Sequence, residues 1–90
     1  MIIPTSFELG GYKWKVVRVK RMKGKIGDCD YMKQTIRILD TVDQEVKEQT
    51  FCHELLHAIE VACGHNPDDH DEHLIDSRAT FLHQYLNSAK

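Results

Sequence analysis

The sequence predicts a small α+β domain in which about three antiparallel strands precede two helices. In the first half of the chain, apolar and charged residues alternate over short stretches bounded by glycines, which is typical of half-buried strands. In the second half, two long segments carry apolar residues at helical spacing and contain no proline. A chain of 90 residues forms one domain, which we assign to residues 1–90.

The strands are predicted from period and turn residues. Residues 12–20 alternate between apolar and charged side chains and follow the pair Gly10-Gly11. A second extended segment, residues 27–31, is joined through a short turn to the β-branched segment Thr35–Leu39. The short connection predicts a hairpin, with Thr35–Leu39 available as a sheet edge.

The helices are predicted from apolar spacing and end signals. The first should cover about residues 43–63, with a capping box of Thr41 and Gln44 at its start and Gly64 as its C-terminal stop. A polar loop that contains Pro67 follows, and a last helix should cover about residues 71–88.

The chain start and the cysteines indicate the compartment. The first residues lack the basic and apolar regions of a secretion signal, and no apolar run could span a bilayer. Cys29, Cys52 and Cys63 are odd in number and form no C-x-x-C pair, so neither a disulfide framework nor a thiolate zinc site is indicated. We expect a cytoplasmic protein without a membrane partner.

Charge is unevenly distributed along the chain. Residues 1–39 carry nine Lys and Arg against three Asp and Glu, whereas residues 40–90 carry three against eleven. Much of the excess base lies in residues 18–25, from Arg18 to Lys25, a run that can bind the phosphates of a nucleic acid but more often forms a solvated strand end and loop. The acidic half favours a bound cation.

The pattern that carries chemistry is His53-Glu54-Leu55-Leu56-His57 within the first predicted helix. His53 and His57 are one helical turn apart on one face, so both imidazoles can reach a single ion, and Glu54 can act on a water bound to it. From Phe51 to Cys63 the helix is otherwise apolar apart from Glu60, which predicts a buried helix with one polar stripe. Zn²⁺ is the expected metal.

Catalytic zinc usually has three protein ligands. The last helix offers Glu72 and Asp76, which are four residues apart and share a face with its apolar residues. We therefore favour Glu72 as the third ligand, with Asp76 orienting a ligand histidine through its other ring nitrogen. Asp76, His73 and Glu60 remain alternative ligands.

These residues resemble those of the gluzincins. The stretch from Asp71 to Asp76 is similar to the Asn-Glu-x-x-x-Asp segment of thermolysin-like enzymes, with Asp71 in place of the Asn. The resemblance implies that Glu72 binds zinc and that Asp76 supports a ligand histidine. In size the chain looks closer to minimal metallopeptidases encoded by bacteriophages and to the ImmA/IrrE group, which implies a small zincin-like domain in a bacterial or phage-infected cell.

The motif predicts a zinc-dependent endopeptidase in which Glu54 acts as general base on a protein or peptide substrate. His70, His73, Tyr85 and Tyr31 are candidates for stabilising the oxyanion. The alternative hypothesis is a catalytically idle zincin-like module with a structural zinc, which binds a protein or, through residues 18–25, a nucleic acid.

Overall fold

Strands come first and helices second in the computed structural model, which describes residues 1–89. This order, with a compact sheet and two helices, confirms the predicted α+β class. A short 3₁₀ turn, Pro67–Asp69, lies between the helices. The elements are β1 (Ser6–Leu9), β2 (Tyr12–Val19), β3 (Gly27–Asp30), β4 (Thr35–Leu39), α1 (Gln44–Ala62) and α2 (Glu72–Ser88).

The sheet has one more strand than predicted and contains a parallel pair. Its order is β1-β2-β4-β3, with β2 and β4 parallel and both outer pairs antiparallel. The added strand, β1, pairs Phe7 with Trp14 across a tight turn. Gly10 and Gly11 adopt φ of 59° and 82° in that turn, a conformation that suits a two-residue hairpin and is open to glycine at low cost.

The parallel pair corrects the prediction that Thr35–Leu39 forms an edge. β4 is hydrogen-bonded to β2 on one side and to β3 on the other, so it lies inside the sheet. In the sheet, β4 lies between β2 and β3, although it follows β3 in the chain. β3 is therefore an edge strand. The hairpin of β3 and β4 was predicted from local sequence, but the pairing with β2 depends on a long-range contact.

α1 lies at the centre of the molecule. It packs on β3 and β4 on one side and against α2 on the other. Ile36 and Ile38 of β4 are fully buried against Cys52 of α1, and Ala79 of α2 completes the same core. A helix covered on two sides needs the nearly continuous apolar surface that the sequence shows between Phe51 and Cys63.

Both helices begin and end within one residue of the predicted bounds. Gly64 adopts φ of 92° after α1, and its N–H donates to the carbonyl of Val61 at 2.9 Å, as expected of a C-terminal stop. The capping box predicted at Thr41 is wrong. Asp43 occupies the N-cap position instead, and its side chain makes no capping hydrogen bond.

Candidate metal centre

The two motif histidines lie side by side on α1 and face α2. His57 is buried and His53 is half-buried, and their ring centroids are 5.0 Å apart. One turn of α-helix separates the two side chains, so they share a face without any distortion of the backbone. The predicted juxtaposition of the two imidazoles is present.

α2 adds a carboxylate to this pair. Glu72, its first residue, has Oε2 at 3.2 Å from Nε2 of His53 and Oε1 at 3.1 Å from Nε2 of His57. The three groups can each offer one ligand atom, and those atoms lie within 4.8 Å of one another. Asp71 caps α2 by accepting hydrogen bonds from the backbone N–H groups of His73 and Leu74. This fixes the start of α2 and with it the position of Glu72.

Two interatomic distances in this group, each to a different oxygen of Glu72, match the spacing of ligand atoms around zinc. With bonds of about 2.0–2.1 Å, a tetrahedral Zn²⁺ holds its ligand atoms about 3.3 Å apart. The two imidazole-to-carboxylate distances at Glu72 are close to that value. Two imidazoles and one carboxylate are also a donor set found at catalytic zinc, where a fourth position stays open.

Each imidazole has its other nitrogen held by a different partner. Nδ1 of His53 lies 3.3 Å from Oδ1 of Asp76. Nδ1 of His57 lies 2.7 Å from Nδ1 of His70, in the loop before α2. Both rings therefore turn Nε2 toward Glu72, which is the arrangement by which proteins orient metal-binding histidines.

The other candidates for third ligand lie elsewhere. Glu60 pairs with His65 and with Arg78, the latter at 3.6 Å, and its carboxylate belongs to that surface cluster. His73 is exposed and does not join the group of possible ligand atoms found among the described residues. Asp76 faces Nδ1 of His53 rather than its Nε2.

Glu54 stands next to the histidines in a different environment. Its side chain extends from α1 toward β3 and is half-buried. The methylene Cγ lies 3.6 Å from the position that a Cβ on Gly27 of β3 would take. Burial raises the pKa of Glu54 to about 7, an effect that the carboxylates of Asp28 and Glu72 increase and that His53 opposes. A carboxyl with a pKa near neutrality can both accept and return a proton.

Burial also keeps His57 in the form that a metal requires. It lowers the pKa of the imidazole, while the nearby Glu72 carboxylate opposes this effect. A neutral imidazole has a free lone pair, and a protonated one does not. The lowered pKa therefore favours the neutral imidazole of His57, whose lone pair can bind a cation.

Tyr31, one of four candidates for oxyanion stabilisation, directly follows β3, the strand that packs on α1. Burial raises the pKa of its phenol, and the neighbouring Cys29 and the carboxylates of Glu54 and Glu72 raise it further. The phenol therefore keeps its proton and can donate a hydrogen bond. Tyr85 is exposed on α2, and His70 is engaged with His57.

A cleft of about 350 Å³ opens beside the candidate metal centre. It is lined by the start of edge strand β3 and the preceding loop, by α1, and by Asp76 of α2. Glu54 and His53 therefore both line this cleft. Its lining residues are Lys25, Ile26, Gly27, Gln49, Thr50, His53, Glu54 and Asp76.

The basic segment 18–25 lies at the end of β2 and in the loop before β3, with its Lys and Arg side chains exposed. Arg18 is 3.9 Å from Asp40, and Lys25 is 3.1 Å from Asp28, so part of the charge of this segment is balanced locally.

No helix among residues 1–89 is both long and apolar enough to cross a membrane. Comparisons with protein-family models, curated proteins and solved structures give no significant match.

Proposed function

We propose that this protein is a zinc-dependent endopeptidase. The observation that carries the proposal is the position of the Glu72 carboxylate, whose two oxygens face Nε2 of His53 and Nε2 of His57, beside the half-buried carboxyl of Glu54. A structural zinc site would need no carboxyl of raised pKa and no cleft. A hydrolytic site needs both, because a base must accept a proton from water and the substrate must reach it.

The roles of the side chains follow from their positions. Bound zinc would lower the pKa of a coordinated water and polarise the carbonyl of the scissile bond. Glu54 accepts the proton of the attacking water and returns it to the leaving amine. Tyr31, whose phenol stays protonated, donates a hydrogen bond to the carbonyl oxygen as negative charge develops there. Asp76 orients His53.

Edge strand β3 offers a way to hold an extended substrate. One side of β3 pairs with β4, and its other backbone edge has no neighbouring strand among the described residues. A peptide that adds as a strand there would lie along the cleft that contains Glu54. We therefore infer that the substrate is a peptide or an unfolded segment of a protein. This replaces Thr35–Leu39, which lies inside the sheet.

We also infer that the protein acts in the cytoplasm of a bacterial or phage-infected cell. Cys29, Cys52 and Cys63 are free thiols, and free thiols are typical of a reducing compartment.

The test compares the wild-type protein with Glu54→Gln. Each is loaded with zinc and incubated with a mixed peptide library, and products are identified by mass spectrometry. The variant should bind one zinc per chain and lose activity by about 10²–10⁴-fold, because only the base is removed. Glu45→Gln, the same substitution at an exposed position of α1, is the control and should be fully active. Equal activity in Glu54→Gln would refute the mechanism.

The second candidate is a binding module with a structural zinc, which the exposed basic segment 18–25 favours. It predicts nucleic-acid binding that weakens steeply as salt rises. A wild-type protein that holds zinc, cleaves no library peptide and binds DNA at about 50 mM salt would favour this function over the first.

A further inference from the structure

His70 contacts His57 with a geometry that fits one short hydrogen bond. The two Nδ1 atoms are 2.7 Å apart, the ring centroids are 5.0 Å apart and the ring planes differ by 14°. The centroid separation is close to the Nδ1–Nδ1 distance plus the two ring radii. The imidazoles therefore lie edge to edge in nearly one plane, so the bond is close to linear.

Only one proton fits between the two Nδ1 atoms. The metal-binding role proposed for His57 determines which ring carries that proton. A hydrogen bond between two ring nitrogens needs one N–H and one lone pair. Nε2 of His57 faces Glu72 and must keep its lone pair to bind a cation, so the neutral ring carries its proton on Nδ1. His70 then accepts at Nδ1 and carries its own proton on Nε2.

The contact with His57 is the one hydrogen bond that the described residues give the His70 imidazole. Its Nε2 is buried and has no hydrogen-bond partner among residues 1–89. A histidine that served only to stabilise the loop would be expected to bond to the loop itself.

The chain on both sides of His70 is fixed by capping interactions. Asn66 accepts from the backbone N–H of Asp68 at 2.9 Å at the start of the 3₁₀ turn. Asp71 caps α2 directly after His70. The backbone of His70 is extended, with φ of −70° and ψ of 132°, between these two capped elements. The backbone that carries the His70 ring is therefore held between two capped elements.

We propose that His70 is a positioning residue for the metal ligand His57, holding Nε2 of that imidazole toward the ion by accepting a hydrogen bond from its Nδ1–H. The inference rests on the metal site of the proposed function and extends it. The two ligand histidines are supported differently, His53 by a carboxylate and His57 by a neutral imidazole.

The test measures zinc affinity by competition with a chelating dye, without substrate. His70→Leu keeps the bulk of the side chain but replaces the acceptor by a methyl group. His70→Asn places an amide oxygen where Nδ1 stood. We expect zinc affinity to fall about 10–100-fold in His70→Leu and to recover in His70→Asn. His65→Ala, in the same loop but paired with Glu60, is the control and should bind zinc as the wild type does.

A measurement on the unaltered protein keeps the proposal testable if His70→Leu does not fold. Long-range ¹⁵N–¹H correlation spectra of the zinc-loaded wild type should show His57 protonated at Nδ1 and His70 protonated at Nε2. A proton on Nδ1 of His70, or wild-type zinc affinity in a folded His70→Leu, would overturn the proposal. So would equal losses in His70→Leu and His70→Asn.

The same measurements separate this inference from the proposed function. A wild-type protein that binds zinc and cleaves no peptide refutes the peptidase, while the affinities of the His70 variants still decide the role of His70. A wild-type protein that binds no zinc overturns both. If the wild type cleaves peptides and His70→Leu binds zinc as tightly as the wild type does, only the role of His70 is refuted.

Discussion

Oδ1 of Asp76 lies 3.3 Å from Nδ1 of His53, although the two residues are 23 positions apart and belong to different helices. The contact joins the middle of α1 to the first turns of α2, and it leaves Nε2 of His53 directed at Glu72. Two residues of α2, four positions apart, thus address opposite nitrogens of one imidazole. In the proposed metal site, Glu72 would therefore be a ligand and Asp76 would orient the ring of His53.

Zinc affinity should distinguish Glu72 from Asp76. Glu72→Ala removes a candidate ligand and its charge, so it should weaken zinc binding more than Asp76→Ala, for which we expect about 10–100-fold. Chelator competition provides the measurement, and Asp69→Ala, an exposed acid in the preceding loop, is the control. If Asp76→Ala binds zinc as well as the wild type, Asp76 does not orient His53.

The stability of the metal-free protein should depend on Glu54. Because burial raises its pKa from 4.5 to about 7, the folded protein holds this proton more tightly than the unfolded chain does. The free energy of unfolding therefore falls as pH rises from about 4.5 to about 7. Glu54→Gln cannot ionise, so it should be about 2 kcal/mol more stable than the wild type at pH 8, after allowance for solvent screening, and equal to it near pH 4.

Urea unfolding in the presence of a chelator measures this difference at the two pH values. Glu45→Gln should show no such pH-dependent gain, because Glu45 is exposed. Equal stability of Glu54→Gln and the wild type at pH 8 would mean that Glu54 is not held in a desolvated position.

The close approach of β3 to α1 should make Gly27 intolerant of a side chain. A Cβ at this position would lie 2.3 Å from Cγ2 of Thr50. Gly27→Ala should therefore lower the free energy of unfolding by about 1–3 kcal/mol, as overpacking does. Thr50→Ser removes Cγ2 and can keep the hydrogen bond to the Val46 carbonyl, so the double variant should recover part of the loss. A double-mutant cycle with no coupling would contradict the predicted clash.

Acid should weaken the contact between the two helices at Glu48. Oε1 of this buried residue lies 2.9 Å from Nε2 of His83, and this hydrogen bond lowers the pKa of Glu48 to about 2. A carboxyl with a lowered pKa stabilises the fold above its ordinary value and loses that contribution as pH falls from about 4.5 toward 2.

Glu48→Gln should therefore be less stable than the wild type at pH 7, by about 1 kcal/mol, and the difference should shrink as pH falls through this range. Thermal unfolding at several pH values provides the measurement. A difference that stays constant down to pH 2 would contradict a charged Glu48 in the folded protein.

Local sequence was sufficient to predict the elements that depend on interactions between residues close together in the chain. The helix bounds follow from apolar spacing and from Gly64, and the contiguity of His53, Glu54 and His57 on one helix follows from its period. The hairpin of β3 and β4 follows from its short turn. β1 was missed although Phe7 and Leu9 alternate with polar residues before Gly10-Gly11, a signal that was available.

The sequence by itself determined the α+β class and the helix that carries the two imidazoles and the carboxyl beside them. Only the tertiary structure decided the parallel pairing of β2 with β4, the edge position of β3 and the contact of His70 with His57. It also brought Glu72 to the two Nε2 atoms and left Glu60 and His73 elsewhere. The reason is physical: helical and turn geometry act over a few residues, whereas the packing of α2 on α1 joins side chains that the chain leaves far apart.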